Sequence, residues 1–143
     1  MRKKIVALIA VVAVVATLSL CLTACTANTY QRRLEKAGYN VTITQDMQVT
    51  IHPHVSTASA SNAKVDWKIE AVRINDDSCD YVTVYKFEFS GDAALFDEYE
   101  GRFLPYGYVQ YLMGNLLFRA SSMEALRDVL HRLGDENTIT VGR

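Results

Sequence analysis

Two histidines, His52 and His54, flank Pro53 in a chain of 143 residues. In a strand, residues i and i+2 share a face, so both imidazoles could grip one metal ion. Such a site needs a third ligand. His131, with Asp128 one turn before it, lies in a separate helical segment, and Pro53 marks a strand end where alternation breaks down. Two solvated histidines beside a loop are therefore expected, with no metal. Asp76, Asp77 and Asp80 sit in one turn, but the Gly and distant Glu of a calcium loop are missing, so a solvated turn is expected. Asp97, Glu98 and Glu100 read as an exposed helix end, although carboxylates there oppose the helix dipole. The stretch "FLPYGYVQY" gathers Phe103, Tyr106, Tyr108 and Tyr111 around Pro105 and Gly107. Aromatic rings with a polar tip suit stacking on a sugar, a peptide or a partner protein. Tyr106 and Tyr108 are expected on one exposed strand face as a binding patch, with Val109 and Tyr111 facing the core. The competing reading is that these aromatics fill the core. There is no G-x-S-x-G, Cys79 has no Cys-His context, and no carboxylate pair is assigned to a pocket. No catalytic residue and no cofactor are expected.

The other two cysteines carry more information. Arg2, Lys3 and Lys4 precede an apolar run, the pattern of a secretory leader. The run from Ile5 to Ala24 is also free of charge, and a stretch of about 20 such residues spans a bilayer. The end of the run separates the two readings. Leu22, Thr23, Ala24 and Cys25 are an apolar residue, two small ones and a cysteine, and this resembles the lipobox of bacterial lipoproteins. The resemblance runs from Met1 to Cys25 and implies that Cys25 receives a diacylglycerol. It also implies cleavage between Ala24 and Cys25, and a new N-terminus that is commonly acylated. Small residues before the cut let a peptidase approach the backbone. Two or more chains, at about 0.8 kcal/mol per buried methylene, hold a protein on a membrane where one does not. Cys21 falls inside the leader and behaves as a small apolar residue.

Cleavage before Cys25 leaves residues 25–143, one domain large enough to bury a core without staples. Loss of Arg2, Lys3 and Lys4 leaves 12 of the 15 basic residues against 16 acidic ones, a net charge of −4. No basic stripe is visible in that balance, which argues against nucleic acid and against adhesion to anionic headgroups. Cys79 is the thiol that remains after lipidation, so no internal disulfide forms, and it is expected to be buried.

The elements that must carry these residues follow from periodicity. Residues 25–28 are a lipidated cysteine and a short tether, and 29–143 a single α+β domain. A helix capped by Asn28 or Thr29, with Tyr30, Leu34 and Ala37 inward, ends at Gly38. It begins so near Cys25 that the domain should sit low on the membrane. Residues 41–51 alternate as a strand, or as a hairpin turning near Gln45–Asp46. Residues 56–63 are a polar loop. A second strand puts Val65, Trp67, Ile69 and Ala71 on one face. After a turn at 75–78, a central strand puts Tyr81, Thr83, Tyr85, Phe87 and Phe89 on one face and Val82 and Val84 on the other. Ser90 caps a short helix, with Ala94, Leu95 and Tyr99, or Phe96 and Tyr99, inward. Residues 106–120 form a hairpin. Ser121 and Glu124 form a capping box for a helix with Leu126, Val129, Leu130 and Leu133 as its stripe. Thr138 to Val141 could add an edge strand. A faint internal echo joins "FEFSGDAALFDEY" and "LFRASSMEALRDVL", each a strand, a serine and an Ala-Leu helix start. This order predicts a two-layer α+β sandwich, a mainly antiparallel sheet with helices on one face. Its second half matches a ferredoxin-like split β-α-β-β-α unit.

The sequence therefore points to an exported lipoprotein of the cell envelope, lipid-anchored with its domain outside the cytoplasm. Its expected role is non-catalytic binding or accessory, toward an envelope protein or glycan. A lipoprotein inhibitor or protective factor, and an envelope hydrolase, are the alternatives. The anchor makes a direct prediction. Cys25→Ala should abolish labelling by a fatty-acid probe and leave the protein unanchored or as uncleaved precursor, while Cys21→Ala should do neither. Equal labelling of the two variants would refute the assignment.

Overall fold

The computed structural model describes residues 27–53, 57 and 59–134. The fold is α+β, a five-stranded, wholly antiparallel sheet with helices packed against it. A helix over 27–36 (α1) leads into β1 (Asn40–Ile51), β2 (Ser61–Ile74) and β3 (Cys79–Phe87). Helix α2 (Ser90–Glu100) and a short 3-10 turn (Gly101–Phe103) precede the hairpin β4 (Val109–Met113) and β5 (Leu116–Ala120), and α3 (Met123–Leu133) follows. The strand order is β1-β2-β3-β5-β4. The leader, Cys25, His54 and the expected edge strand at 138–141 lie outside the described residues.

Helices α1 and α3 form the second layer of the sandwich. Leu34 of α1, Tyr39 just after it, and Ala125, Leu126, Val129, Leu130 and Leu133 of α3 bury against Trp67, Ile69, Ala71, Val82, Val84, Phe118 and Ala120. Both helix stripes match the expected periodicity. The helix already runs at Ala27, so the tether is shorter than residues 25–28, and Asn28 and Thr29 lie within the helix rather than capping it. Its C-terminus closes as expected. Gly38 has φ +91°, its N–H reaches Glu35 O, and the Tyr39 N–H reaches Leu34 O, both at 3.0 Å. That pairing satisfies two of the last carbonyls and uses the left-handed backbone that glycine adopts without strain. The cap of α3 is shifted by one residue from the expected capping box. Ser122 accepts from the Ala125 N–H at 3.1 Å. Ser121 instead accepts from the Tyr81 N–H at 3.0 Å and donates its own N–H to Tyr81 O. Ser121 thus extends the β3–β5 ladder and is not available to cap.

A second core lies on the opposite sheet face. Ala93 and Phe96 of α2 pack with Phe87, Leu117, Val65, Ala63 and Ile51. Neighbouring residues establish the sidedness, since Leu117 belongs to this core and Phe118 to the first. The expectation of helices on one face holds for α1 and α3, while α2 covers the other face. The strand order of a split unit is present, with β5 between β3 and β4, but its two helices lie on opposite sides. Ser90 is the first helical residue rather than its cap, and of the two inward sets expected the one with Phe96 is observed, joined by Ala93, while Ala94 and Leu95 are exposed. Tyr99 packs against the same core, half-buried. Phe89, expected to continue the inner face of β3, lies past the strand's end and is exposed. Ala93 to Phe96 is apolar around the whole turn, so periodicity does not select a face.

The long β1–β2 ribbon serves both cores. Residues 40–51 form one strand rather than a hairpin, and the local break at Gln45–Asp46 is a single left-handed residue, Asp46 with φ +50°. Across from it, β2 carries one extra residue relative to β3, because Val65 pairs with Phe87 and Trp67 with Lys86. That bulge at Asp66 interrupts the alternation. Trp67, Ile69 and Ala71 join the α1/α3 core, and Val65 joins the α2 core rather than sharing their face. Cys79 begins β3 exposed, contrary to the expectation of burial.

Phe87 is 0% exposed within the second core, with the Tyr85 and Phe96 rings 6.1 and 5.4 Å away. Phe87→Ala should cost about 3–5 kcal/mol, measured by denaturant unfolding. Small domains hold about 5–15 kcal/mol in total, so the loss is severe. An unchanged unfolding midpoint would contradict a packed core on this face.

Candidate functional site

Helix α2 and the far end of the ribbon cover part of the second sheet face. On the remainder, polar side chains gather. Alternation places Tyr81, Thr83 and Tyr85 of β3 there, because Val82 and Val84 face α1 and α3. The same rule aims Arg119 of β5 and Gln110 of β4 to this face, since Phe118, Ala120, Val109 and Tyr111 pack the other way. The segment after α2 closes one side. Tyr81, Thr83, Tyr85, Leu104, Pro105, Tyr108 and Arg119 line a cleft of about 220 Å³.

Arg119 is positioned by a relay. Its Nε donates to Gln110 Oε1, and Gln110 Nε2 donates to Asp97 Oδ1 at 2.7 Å and to Asp97 O at 3.2 Å. The guanidinium carbon lies 4.7 Å from the Phe96 ring centroid and 5.9 Å from that of Tyr85. Those rings hold the cation by their faces. Arg119 forms no salt bridge among the described residues. Its Nη2 is buried without a hydrogen-bond partner there, a costly state for a charged donor. On the far wall, the Tyr81 hydroxyl donates to Glu70 Oε1 at 3.0 Å, and Lys68 pairs with the same carboxylate at 3.3 Å. The Thr83 hydroxyl pulls the Tyr81 phenol pKa down, but burial and the bond to Glu70 outweigh it and hold the phenol above its usual value.

The two tyrosines expected to form a patch are separated. Neither is on β4, which starts at Val109. Pro105 to Tyr108 is a β-turn, closed by the Tyr108 N–H on Pro105 O at 3.0 Å, with Gly107 at φ +85°. Positive φ at the third residue is the requirement of a type II turn. Tyr106 stands at the tip, fully exposed, and Tyr108 turns back to line the cleft. Val109 and Tyr111 face the core, as expected. Arg119 is missing from the candidates that the sequence suggests. Its signal is a single charge inside the apolar strand "LLFRA", on the parity opposite Phe118.

The other candidate constellations disperse. His52 is exposed, its backbone N–H donating to Glu100 Oε1 at 3.2 Å, and His131 is exposed on α3. Among the described residues, no group of three or more His, Cys, Asp or Glu is placed to hold a metal. Asp76 and Asp77 are exposed in their turn, while Asp80 pairs with Arg73 at 2.9 Å. Asp97 and Glu100, expected as solvated charges, accept the bonds from Gln110 and His52. Asp128 is engaged by the Tyr39 hydroxyl at 2.8 Å, Arg73 at 3.2 Å and Arg132 at 3.2 Å. Burial, reinforced by the bond to Asp128, pushes the Tyr39 phenol pKa well above its usual value. This is a structural clamp between α1, β2 and α3. Among the described residues, no helix is long and apolar enough to cross a membrane.

Compared with known proteins, the chain matches no family model, no curated protein and no solved structure.

The turn geometry separates tip from hinge. Tyr106→Ala should change stability by under about 0.5 kcal/mol, because the side chain is fully exposed. Gly107→Ala should cost about 1–2 kcal/mol through the left-handed backbone alone. Thermal unfolding of both variants is the measurement, and a costly Tyr106→Ala would place that ring in a packed site.

Proposed function

We propose that this protein is a lipid-anchored envelope lipoprotein with a non-catalytic binding role, and that the cleft on the open sheet face holds its partner. The lipobox at Leu22 to Cys25 supports the anchor. The observation that carries the binding role is the Arg119 guanidinium, stacked on Phe96 and lacking a carboxylate partner among the described residues, at the edge of a cleft walled by Tyr81, Tyr85 and Tyr108. A cation already stacked on rings and tethered at Nε is preorganised, so little ordering entropy is lost when it meets an anion. Tyrosines add apolar area with a polar tip. The chemistry that fits is a carboxylate next to a flat or apolar group, such as an acidic segment of an envelope protein. These groups bind and orient.

The test is titration of the anchor-free mature protein with N-acetylphenylalanine and with its amide, followed by NMR at the Arg119 Nε–H and the cleft tyrosines. The carboxylate should bind at least about tenfold more tightly, a difference of about 1.4 kcal/mol. Arg119→Met should erase that preference, and Tyr108→Ala should weaken both probes while the fold stays intact by thermal unfolding. Equal shifts for acid and amide, or preference surviving in Arg119→Met, would reject the cleft as an anion-binding site.

A further inference from the structure

The net charge of −1, or −4 for the expected mature chain, conceals a segregation that emerges once the helices are assigned to sheet faces. Helices α1 and α3 carry Arg32, Arg33, Lys36, Arg127 and Arg132 against Glu35, Glu124 and Asp128. All five bases are exposed. Asp128 is occupied by Tyr39, Arg73 and Arg132, and among the described residues the other four bases of the layer form no salt bridge. Helix α2, on the other sheet face, carries Asp92, Asp97, Glu98 and Glu100 and no Lys or Arg. The two basic helices are neighbours. Arg33 Nη1 donates to Leu133 O at 3.1 Å, and Tyr39 reaches Asp128. Their outer surfaces together carry five exposed bases against the exposed Glu35 and Glu124 and the engaged Asp128, an excess of positive charge, and the acidic helix lies on the other sheet face. The summed charge, which argues against a basic stripe, does not resolve this separation.

We infer that this α1/α3 layer docks on the anionic headgroups of the membrane that carries the anchor, and so turns the cleft face outward. The geometry rests on the reading of Cys25 as the lipidated residue. Thr26 alone separates that cysteine from the helix at Ala27, so the first residue of α1 is held within about 7 Å of the lipidated residue. A helix over 27–36 spans about 15 Å. With α1 standing upright, Lys36 would lie beyond the screening length of about 8 Å at physiological salt. With α1 lying flat, Arg32, Lys36 and Arg127 all come within reach of the lipid surface. The anchor supplies a high effective concentration, so a few headgroup contacts suffice to set the orientation. The repulsion of the α2 carboxylates acts in the same sense. Because the cleft lies on the sheet face opposite α1 and α3, a flat α1 presents it to the surrounding medium.

The experiment couples the mature chain, carrying Cys79→Ser, through the Cys25 thiol to a maleimide lipid in vesicles. Both cores are built from residues 27–133, and Cys79 is exposed, so both changes leave packing untouched. Acetylation rates of Lys36 and Lys68 are read by mass spectrometry on phosphatidylcholine vesicles with and without phosphatidylglycerol. Lys68, paired with Glu70 on the open face, is the internal reference. Lys36 should be protected at least about fivefold on the anionic vesicles, as expected for several bases at a charged surface. High salt should remove the protection, as should the pair Arg32→Glu and Arg127→Glu, while Lys68 stays constant. Equal Lys36 rates on the two vesicles, equal protection of Lys68, or protection that survives the charge reversals would overturn the docking. Chemical coupling keeps this result independent of cellular lipidation. An absence of fatty-acid labelling at Cys25 in cells would refute the anchor alone.

Discussion

The architecture turns on one interruption in a β-ribbon. Side chains alternate strictly along a strand, so a displacement of one residue exchanges its faces. Asp46, left-handed in β1, and the bulge at Asp66 in β2 stand opposite each other in the ribbon. On one side of that level Val65, Met47 and Val49 serve the α2 core, and on the other Trp67, Ile69 and Ile43 serve the α1/α3 core. A short acidic residue suits both positions, because Asp tolerates left-handed backbone and stays solvated where the ladder is broken. A regular ribbon would commit all these apolar residues to one side and leave Phe87, Phe96 and Leu117 with too few partners.

Covering both faces has a consequence for chemistry. The α1/α3 side is closed, packed by two stripes and clamped by Arg73, which bonds Asp80, Asp128 and the Ala37 carbonyl and lies 4.5 Å over the Tyr39 ring. Hydrogen bonding to Asp80 holds the guanidinium pKa above its usual value even though burial opposes it. The second face is covered in part only, since one helix and the ribbon's end do not extend over all five strands. On the part that α2 leaves uncovered, β3 and β5 place half-buried tyrosines, the buried Thr83 and the half-buried Arg119. The cleft is thus a by-product of unequal coverage, and its cation is fixed in place by Gln110, Asp97 and the aromatic edge of the second core. Packing and site share residues: Phe96 fills the core with one part of its surface and carries the guanidinium with another.

Local signals were legible where one element decided them. The periodicity of α3, the glycine after α1, the turn at 75–78 and the β4–β5 hairpin are all set by residues within a few positions of one another. The repeated pattern of strand, serine and Ala-Leu helix start holds in "LFRASSMEALRDVL", while in "FEFSGDAALFDEY" the strand already ends at Phe87. Its serines behave differently, because Ser121 is recruited by the Tyr81 backbone and the cap passes to Ser122, while α2 starts without a side-chain cap.

What the chain alone determined was the class of fold and the presence of each described strand and helix. Tertiary structure decided which sheet face each element serves. A bulge is invisible to a count of alternating residues, so Val65 and Trp67 read as companions although they belong to separate cores. The side taken by α2 depends on Phe87 and Leu117, contributed by two different strands, and on the room left by the ribbon. The same assignment of faces separates basic helices from the acidic one, a pattern that the summed charge cannot contain because it holds no positions. It also brings Arg119 of β5 beside Phe96 of α2 and the tyrosines of β3, three segments whose meeting is a property of the sheet order and of no single stretch of sequence.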